Sequence, residues 1–224
     1  MHGGWGQTTV VEDVSLAIGA GETVSVIGRN GVGKSTLLEL IVGRAQRHSG
    51  EIRLGETDCS TARTYRRSNS GLGYVPQERE VFPSLTVSEN LSIARRAGSW
   101  DEERVFGLFP RLAERSKSMG WQLSGGEQQM LSIARALMGN PKVLLMDEPM
   151  EGLAPVIVEQ LVDALTRVVA GGTLAVLLVE QRVDVVLNLA SRCLIMDRGR
   201  VIHEEASASL RADPERLGQL IGFE

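Results

Sequence analysis

The sequence lacks the features that mark disulfide-rich, membrane-spanning and strongly basic proteins. Its two cysteines, Cys59 and Cys193, form no CxxC pattern, so we expect reduced thiols in a reducing compartment. The longest apolar runs, such as LAVLLV (174–179), are far too short to span a bilayer. Lys and Arg number 24 against 28 Asp and Glu, giving a net charge of −4, which argues against a broad nucleic-acid-binding surface.

The N-terminal segment MHGGWGQ also lacks the apolar stretch of a signal peptide. We therefore expect a cytoplasmic protein, with any membrane role supplied by a partner. Three neighbouring arginines, Arg63, Arg66 and Arg67, predict a solvated loop rather than a phosphate site. The length of 224 residues and the balance of 42% apolar and 23% charged residues suit one core with an inserted subdomain.

Apolar, β-branched runs alternate with helical patterns through most of the chain. The predicted strands cover 23–27, 142–147, 173–179 and 193–197. Helices are predicted from near Lys34, from Pro155 to the glycine pair 171–172, and over 185–190, with a short helical tail after Glu205. This alternation indicates an α/β fold with a mostly parallel sheet and helices on both faces.

The middle of the chain, about 78–122, has no pattern of a buried strand. Thr86 and Glu89 have the spacing of a capping box. A helical stripe follows, made of Val105, Leu108, Phe109 and Leu112. We therefore predict a single domain over 1–224, in which a helical subdomain at about 78–122 is inserted between core segments 1–77 and 123–224.

The strongest motif is GRNGVGKST, which directly follows a predicted strand and begins a helix. It fits the pattern G-x-x-x-x-G-K-[ST], whose backbone amides converge on phosphate oxygens. Lys34 would reach the β- and γ-phosphates, and the Ser35 hydroxyl would ligate Mg²⁺. The alternative is an ordinary glycine turn. The candidate nucleotide-binding residues of the motif are Gly28, Arg29, Asn30, Gly31, Val32, Gly33, Lys34, Ser35 and Thr36.

Two acids end the predicted strand at 142–147. Asp147 is placed to hold hydrated magnesium, and Glu148 points to the other side of the strand end, where it would polarise an attacking water. A solvated strand edge is the alternative. A third motif, QLSGGEQQM, gives Ser124 and Glu127 the spacing of a capping box. Its adjacent glycines predict either a capped helix alone or a second helix N-terminus that approaches an anion.

The motif LSGGEQQ (123–129) resembles the signature of ATP-binding-cassette (ABC) ATPases. YVPQ (74–77), the helical insert and MEGLAP (150–155) extend the resemblance over nearly the whole chain. It implies a P-loop NTPase (RecA-like) core with an antiparallel β edge, an ATP substrate and Mg²⁺. In this family two cassettes pair head to tail. The signature residues Leu123, Ser124, Gly125, Gly126 and Glu127 would then cover the nucleotide of the partner cassette.

The resemblance assigns roles to three further positions. Trp5 matches the aromatic residue that stacks on adenine, the alternative being a loose N-terminal tryptophan. Gln77 would contact the magnesium and the attacking water, at the hinge between core and insert. The segment 78–87, with Val81 and Phe82, would form a wall of the groove that receives a short helix from a membrane subunit. Ordinary packing of the insert is the alternative.

Gln181 stands where most ABC ATPases have a histidine that contacts the γ-phosphate. A glutamine donates an amide N–H to a phosphate oxygen but carries no positive charge and shuttles no proton. The stretches LVEQ (178–181), GLAP (152–155) and FPRL (109–112) look like those of branched-chain amino-acid importers. Importers of urea and short-chain amides share this pattern.

The resemblance thus implies the ATP-hydrolysing subunit of an importer, with Glu148 and Gln181 as catalytic residues. Its implied partners are two transmembrane permease subunits, a second ABC ATPase in a homo- or heterodimer and, indirectly, a solute-binding protein, with no nucleic acid. It would lie on the inner face of the membrane. A soluble ABC ATPase acting on nucleic acid or ribosomes is a rival, but those usually have two cassettes or a long coiled coil. An exporter ATPase is a further rival.

Overall fold

The computed structural model describes residues 1–222, along which strands and helices alternate as the sequence predicts. The strands are β1 (His2–Trp5), β2 (Thr8–Val11), β3 (Thr23–Ile27), β4 (Gln46–Ser49), β5 (Arg53–Leu54), β6 (Thr57–Asp58), β7 (Leu72–Val75), β8 (Val143–Asp147), β9 (Ala175–Val179), β10 (Arg192–Asp197) and β11 (Arg200–Ala206). The helices are α1 (Lys34–Val42), α2 (Thr64–Asn69), α3 (Val87–Ala94), α4 (Glu102–Leu108), α5 (Pro110–Glu114), α6 (Gly125–Met138), α7 (Pro155–Ala170), α8 (Val183–Leu189), α9 (Ser207–Ala212) and α10 (Pro214–Ile221).

A six-stranded sheet forms the centre of the fold, in the order β11-β10-β3-β9-β8-β7. The pairs from β10 to β7 are all parallel, and β11 runs antiparallel at one edge. Val179 lies level with both Val26 and Asp147, so the carboxyl ends of β3, β9 and β8 lie side by side. This is the edge at which open α/β sheets bind ligands. The predicted fold class is confirmed.

A second, antiparallel sheet is built from the N-terminal part of the chain, in the order β2-β1-β4. A two-stranded ribbon of β5 and β6 follows it. The hairpin of β1 and β2 carries Trp5 at its turn, paired with Thr8.

Strand β9 explains how one apolar run supports helices on both sheet faces. All five of its residues are buried, and successive side chains of a strand point to opposite faces. Val176 and Leu178 join the core beneath α6 and α7, whereas Leu177 and Val179 join the core beneath α1. Each such buried side chain stabilises the fold by roughly 1.5–3 kcal/mol.

The segment between β7 and α6 is helical and contains the predicted capping box. The Thr86 hydroxyl accepts from the Glu89 backbone N–H, and the Glu89 carboxylate accepts from the Thr86 backbone N–H. The predicted stripe over 105–112 is buried, but it belongs to two helices, because Pro110 begins α5 where α4 has ended. Within residues 1–222, no helix has the length and apolarity needed to cross a membrane.

The prediction of a solvated loop for the three arginines is wrong for Arg67. Arg67 lies on α2 and is only 4% exposed. Its guanidinium donates to the carbonyls of Leu40 and Ile41, both at 2.7 Å, in the last turn of α1. It also donates to the Ala62 carbonyl at 2.9 Å. The guanidinium therefore satisfies carbonyls that the helix end leaves without partners.

Cys59 and Cys193 are both free and buried. Cys193 lies in β10, where its sulfur accepts a hydrogen bond from the Ser25 hydroxyl at 3.0 Å.

Candidate nucleotide-binding site

The glycine-rich loop connects the end of β3 to the start of α1 and needs glycine at two points. Gly33 caps α1 with φ of 105°, in the left-handed region. A Cβ on Gly28 would lie 2.3 Å from the Met196 carbonyl oxygen, so only glycine fits there. Gly33 offers α1 no side-chain cap, and the first turn of α1 contains no acid. The first backbone N–H groups of the helix thus suit an anion, such as a phosphate.

Lys34 lies at the centre of the cleft, with 4% of its surface exposed. Its ammonium donates to the carbonyls of Gly28, at 2.9 Å, and Arg29, at 3.0 Å, which hold the side chain across the loop. The Glu148 carboxylate lies 3.6 Å from the same ammonium. A buried ammonium thus lies at the start of α1, where it can attract a phosphate.

Asp147 and Ser35 bring two oxygen atoms together at the end of β8. The Ser35 hydroxyl donates to Asp147 Oδ1 at 3.0 Å. Burial raises the pKa of Asp147 to about 6, and the Ser35 hydrogen bond and the Lys34 charge offset this rise only in part. A buried carboxylate with too little compensating charge, next to a hydroxyl, fits a hard divalent cation such as Mg²⁺.

No cluster of three or more His, Cys, Asp and Glu side chains suited to a metal occurs in residues 1–222. A cation held by Ser35 and Asp147 would therefore complete its coordination with water and phosphate oxygens, as Mg²⁺ commonly does.

Glu148 leaves the strand in an unusual backbone conformation. Its φ is +45°, in the left-handed region that costs a non-glycine residue about 1–2 kcal/mol. Its backbone N–H donates to the Val179 carbonyl at 2.9 Å, so β8 and β9 remain joined one residue beyond Asp147. The side chain, which we expected on the other side of the strand end, turns into the same cleft as Lys34 and Gln181.

Gln181 meets Glu148 across the cleft. The Gln181 amide Nε2 donates to Glu148 Oε2 at 2.6 Å, a charge-assisted hydrogen bond. Gln181 is therefore not a solvent-facing strand end, and it lies among the residues of the loop. The cleft has a volume of about 280 Å³, and its lining includes Asn30, Gly31, Gly33, Lys34, Ser35, Thr36, Gln77, Glu148, Glu151 and Gln181.

Gln77 lies at the rim of the cleft rather than at its base. Its side-chain amide donates to the Glu151 carboxylate, in the loop that follows Glu148. Ser35 and Asp147 bond to each other, and Gln77 makes no hydrogen bond to either among the described residues. The structure therefore brings Gln77 to the cleft but pairs its amide with Glu151.

The signature residues 123–127 lie outside the lining of this cleft. Ser124 and Glu127 form the predicted capping box at the start of α6. Gly126 also has a packing reason to be glycine, because a Cβ there would lie 2.7 Å from Ile157 Cγ2 on α7. Within one chain the signature is thus a capped helix N-terminus separate from the phosphate loop.

Trp5 lies at the end of β1 and is 52% exposed. It does not line the cleft, but Val10 of the paired strand β2 does. Stacking of the exposed ring on adenine stays a prediction.

Sequence reasoning missed Glu151 and Glu180. Glu151 contacts Gln77, as described above. Glu180 is only 2% exposed and accepts hydrogen bonds from the backbone N–H groups of Met150 and Gln181. An acid at the end of a fully apolar strand was the available signal, but its partners are distant in sequence.

Comparison with known proteins places this geometry in a family. The family model described as "ABC transporter" matches residues 11–151. The high-affinity branched-chain amino acid transport ATP-binding protein BraG of Pseudomonas aeruginosa is 39% identical, over 97% of this chain and 95% of its own length. The probable branched-chain amino acid transport ATP-binding protein LivF of Archaeoglobus fulgidus is 36% identical, over 90% and 87%. The lipopolysaccharide export system ATP-binding protein LptB of Escherichia coli K12 is 36% identical, over 86% and 83%.

Solved structures agree with these relatives. A nucleotide-free ATP-binding cassette from an ABC transporter superposes with a TM-score of 0.80 at 26% identity, covering 96% of each chain. A dimeric post-hydrolysis ATP-binding cassette bound to ADP and Pi superposes with a TM-score of 0.78 at 26% identity, covering 92% of this chain and 99% of its own. The phosphate loop, the acids at the end of β8 and the signature helix occur here in one cassette fold, and the chain belongs to the ABC transporter family.

Proposed function

We propose that this chain is the ATP-hydrolysing subunit of an ABC importer for branched-chain amino acids. The observation that carries the proposal is the convergence of Lys34, Glu148 and Gln181 at the phosphate loop. The similarity to BraG and LivF, each along most of its length, supports the class of solute.

In this proposal ATP binds with its phosphates in the loop 28–36. The backbone amides and the Lys34 ammonium hold the β- and γ-phosphates, and the exposed Trp5 ring stacks on adenine. Ser35, Asp147 and Gln77 would hold Mg²⁺, which would neutralise charge on the phosphate oxygens. The Gln77 amide nitrogen donates to Glu151, which leaves the amide oxygen available as a metal ligand.

Hydrolysis needs a base and a group that orients it. The Glu148 carboxylate accepts a proton from water as that water attacks the γ-phosphate in line. The Gln181 amide holds this carboxylate in place and offers its second N–H to a γ-phosphate oxygen. Because an amide carries no charge, Glu148 supplies most of the water activation.

A second cassette completes the site in trans. The α6 N-terminus, with Leu123, Ser124, Gly125, Gly126 and Glu127, lies outside this chain's own cleft, which supports a role on a partner's nucleotide. The core segments 1–77 and 123–224 then move relative to the helical segment 78–122. Two permease subunits receive that motion near Gln77, where Phe82 is 45% exposed. The same subunits hold the chain on the inner face of the membrane.

The test of ATP hydrolysis is Glu148→Gln in the purified chain. This change keeps the shape of the side chain but removes the base, so we expect ATP to bind while turnover falls by about 100-fold or more. Hydrolysis at the wild-type rate would overturn the role of Glu148.

The test of the solute is uptake into vesicles that contain this chain, its permease subunits and a second ATPase subunit, with the solute-binding protein supplied. The import proposal expects ATP-dependent uptake of labelled leucine. Uptake of labelled urea and acetamide, measured in parallel, tests the alternative solutes. The similarity to LptB supports one other candidate, an export ATPase, which would give no inward transport.

A further inference from the structure

Glu180 is a buried carboxylate that the proposed mechanism leaves without a role. It follows β9 directly and is 2% exposed. Its own backbone N–H donates to the Val26 carbonyl at 3.4 Å, which keeps it beside the strand that leads to the phosphate loop. Among residues 1–222, no Lys, Arg or His side chain forms an ion pair with it.

The Glu180 carboxylate joins two loops that are distant in sequence. Its Oε1 accepts from the backbone N–H of Gln181, at 3.1 Å, and more weakly from that of Arg182, at 3.4 Å. Its Oε2 accepts from the backbone N–H of Met150, at 3.3 Å. Met150 is two residues beyond Glu148, so one side chain holds both the loop that carries the base and the loop that carries its amide partner.

These three contacts require a side chain that only accepts hydrogen bonds. All the partners of Glu180 are N–H donors, and an ionised carboxylate offers acceptors on both oxygens. A glutamine of the same shape would direct its NH₂ group at a backbone N–H and leave that donor unpaired. Burial opposes ionisation and raises the pKa of Glu180, and the three backbone donors work against that rise.

The contacts continue from Glu180 to the reacting groups. Glu180 fixes the backbone of Gln181, the Gln181 amide lies 2.6 Å from Glu148 Oε2, and Glu148 Oε1 lies 3.6 Å from the Lys34 ammonium. Glu180 makes no hydrogen bond to Glu148 itself among the described residues. Glu180 can therefore act on turnover through the loops it holds, or through the repulsion between its charge and that of Glu148. A charge effect would persist when the Gln181 side chain is removed, whereas positioning of the Gln181 amide would not.

We propose that Glu180 is a positioning residue that sets the Gln181 amide against Glu148 and so controls the rate of the chemical step. This inference rests on the proposed ATPase function. Glu180 acts on the orientation of the base, so its loss should lower kcat and leave the KM for ATP nearly unchanged.

The experiment is a double-mutant cycle of Glu180→Gln and Gln181→Ala in the full chain, with kcat and KM measured for Mg-ATP. We expect Glu180→Gln alone to lower kcat about tenfold or more, with KM within about threefold of wild type. In the Gln181→Ala background, Glu180→Gln should lower kcat by less than about threefold, because its route of action is already lost. Effects that multiply in the double variant would overturn the proposal, as would an unchanged kcat for Glu180→Gln.

A second variant keeps the test decisive if Glu180→Gln folds poorly. Glu180→Asp retains an ionised acceptor on a shorter side chain, so it should retain more turnover than Glu180→Gln and show the same loss of effect with Gln181→Ala. The matched control is Asp184→Asn, an exposed acid in the same region, which should leave kcat unchanged. If the wild-type protein shows no ATP hydrolysis that depends on Glu148, the proposed function is refuted. If it hydrolyses ATP normally but the effects of the two substitutions on kcat multiply, only the role of Glu180 is refuted.

Discussion

The Gln181 side-chain amide donates a hydrogen bond to the Glu148 carboxylate, with 2.6 Å between Nε2 and Oε2. The two residues follow the ends of neighbouring parallel strands, β9 and β8, so the sheet itself brings them together. A neutral donor at this point orients the carboxylate without neutralising its charge.

We predict that Gln181→Ala lowers kcat by about 10- to 100-fold while the KM for ATP changes little. A hydrogen bond to a charged group contributes about 1.5–3 kcal/mol, which corresponds to that range of rates if it is made at the transition state. Steady-state ATPase assays measure both constants. The isosteric variant Gln181→Glu is the control, because it replaces attraction with repulsion at Glu148 and should be at least as slow. Wild-type turnover in Gln181→Ala would exclude the side chain from catalysis.

We predict that Asp147→Asn stabilises the protein at neutral pH when Mg²⁺ and nucleotide are absent. The pKa of Asp147 is about 6 in the folded chain against an ordinary 3.8, so the folded state binds the proton more tightly than the unfolded state. The stabilisation that comes from this tighter proton binding is fully present below about pH 4 and is lost as pH rises through about 6. Asparagine cannot ionise, so its advantage should grow with pH and reach on the order of 2–3 kcal/mol at pH 7.5.

Thermal unfolding in EDTA at pH 5 and pH 7.5 measures this difference. At pH 5 the advantage of Asp147→Asn should be about half as large, since wild-type Asp147 is then mostly protonated. Adding Mg-ATP should stabilise wild type and not the variant. The control Asp163→Asn changes an exposed acid on α7 and should shift the melting temperature little at either pH. A variant less stable than wild type at pH 7.5 would contradict the prediction.

We predict that Gly126→Ala harms stability and turnover for two separate reasons. The added Cβ would lie 2.7 Å from Ile157 Cγ2, so packing against α7 suffers. In the proposed dimer, the same methyl group also obstructs the approach of α6 to the partner's phosphate. Ile157→Ala makes room for the methyl group. The double variant Gly126→Ala, Ile157→Ala should therefore be about as stable as Ile157→Ala alone.

ATPase assays of the same variants separate the two reasons. Turnover should stay low in the double variant, because making room beside α7 does not restore access to the phosphate. Recovery of turnover together with stability would mean that Gly126 serves packing alone.

The sequence was sufficient for the features that depend on local pattern. The apolar runs of β3, β8 and β9 have no alternation because both of their faces are buried, and this is visible in the residues themselves. The turn at the phosphate loop needs glycine at Gly28 and Gly33, so its motif is equally readable. Since parallel strands align their carboxyl ends, the proximity of Asp147 to the loop followed from the fold class.

Contacts set by tertiary placement were not readable in the same way. The left-handed φ of Glu148 turns its side chain into the cleft, although an extended strand would have placed it opposite Asp147. The pairing of Gln77 with Glu151 joins residues that are distant in sequence. Arg67 resembled its solvated neighbours by composition, and only the position of the end of α1 gives it buried acceptors.

Arg67 gives the last prediction, that Arg67→Ala lowers the free energy of unfolding by about 2–4 kcal/mol. The change removes the donors to Leu40 and Ile41 and leaves buried carbonyls at the end of α1 unpaired, at about 1–3 kcal/mol for each lost partner. It also removes a cation from a helix C-terminus. Arg66→Ala is the matched control, because the Arg66 side chain is exposed on the same helix and its loss should change stability by less than about 0.5 kcal/mol. Urea unfolding of the two variants measures both values, and equal midpoints would show that the buried guanidinium contributes no net stability.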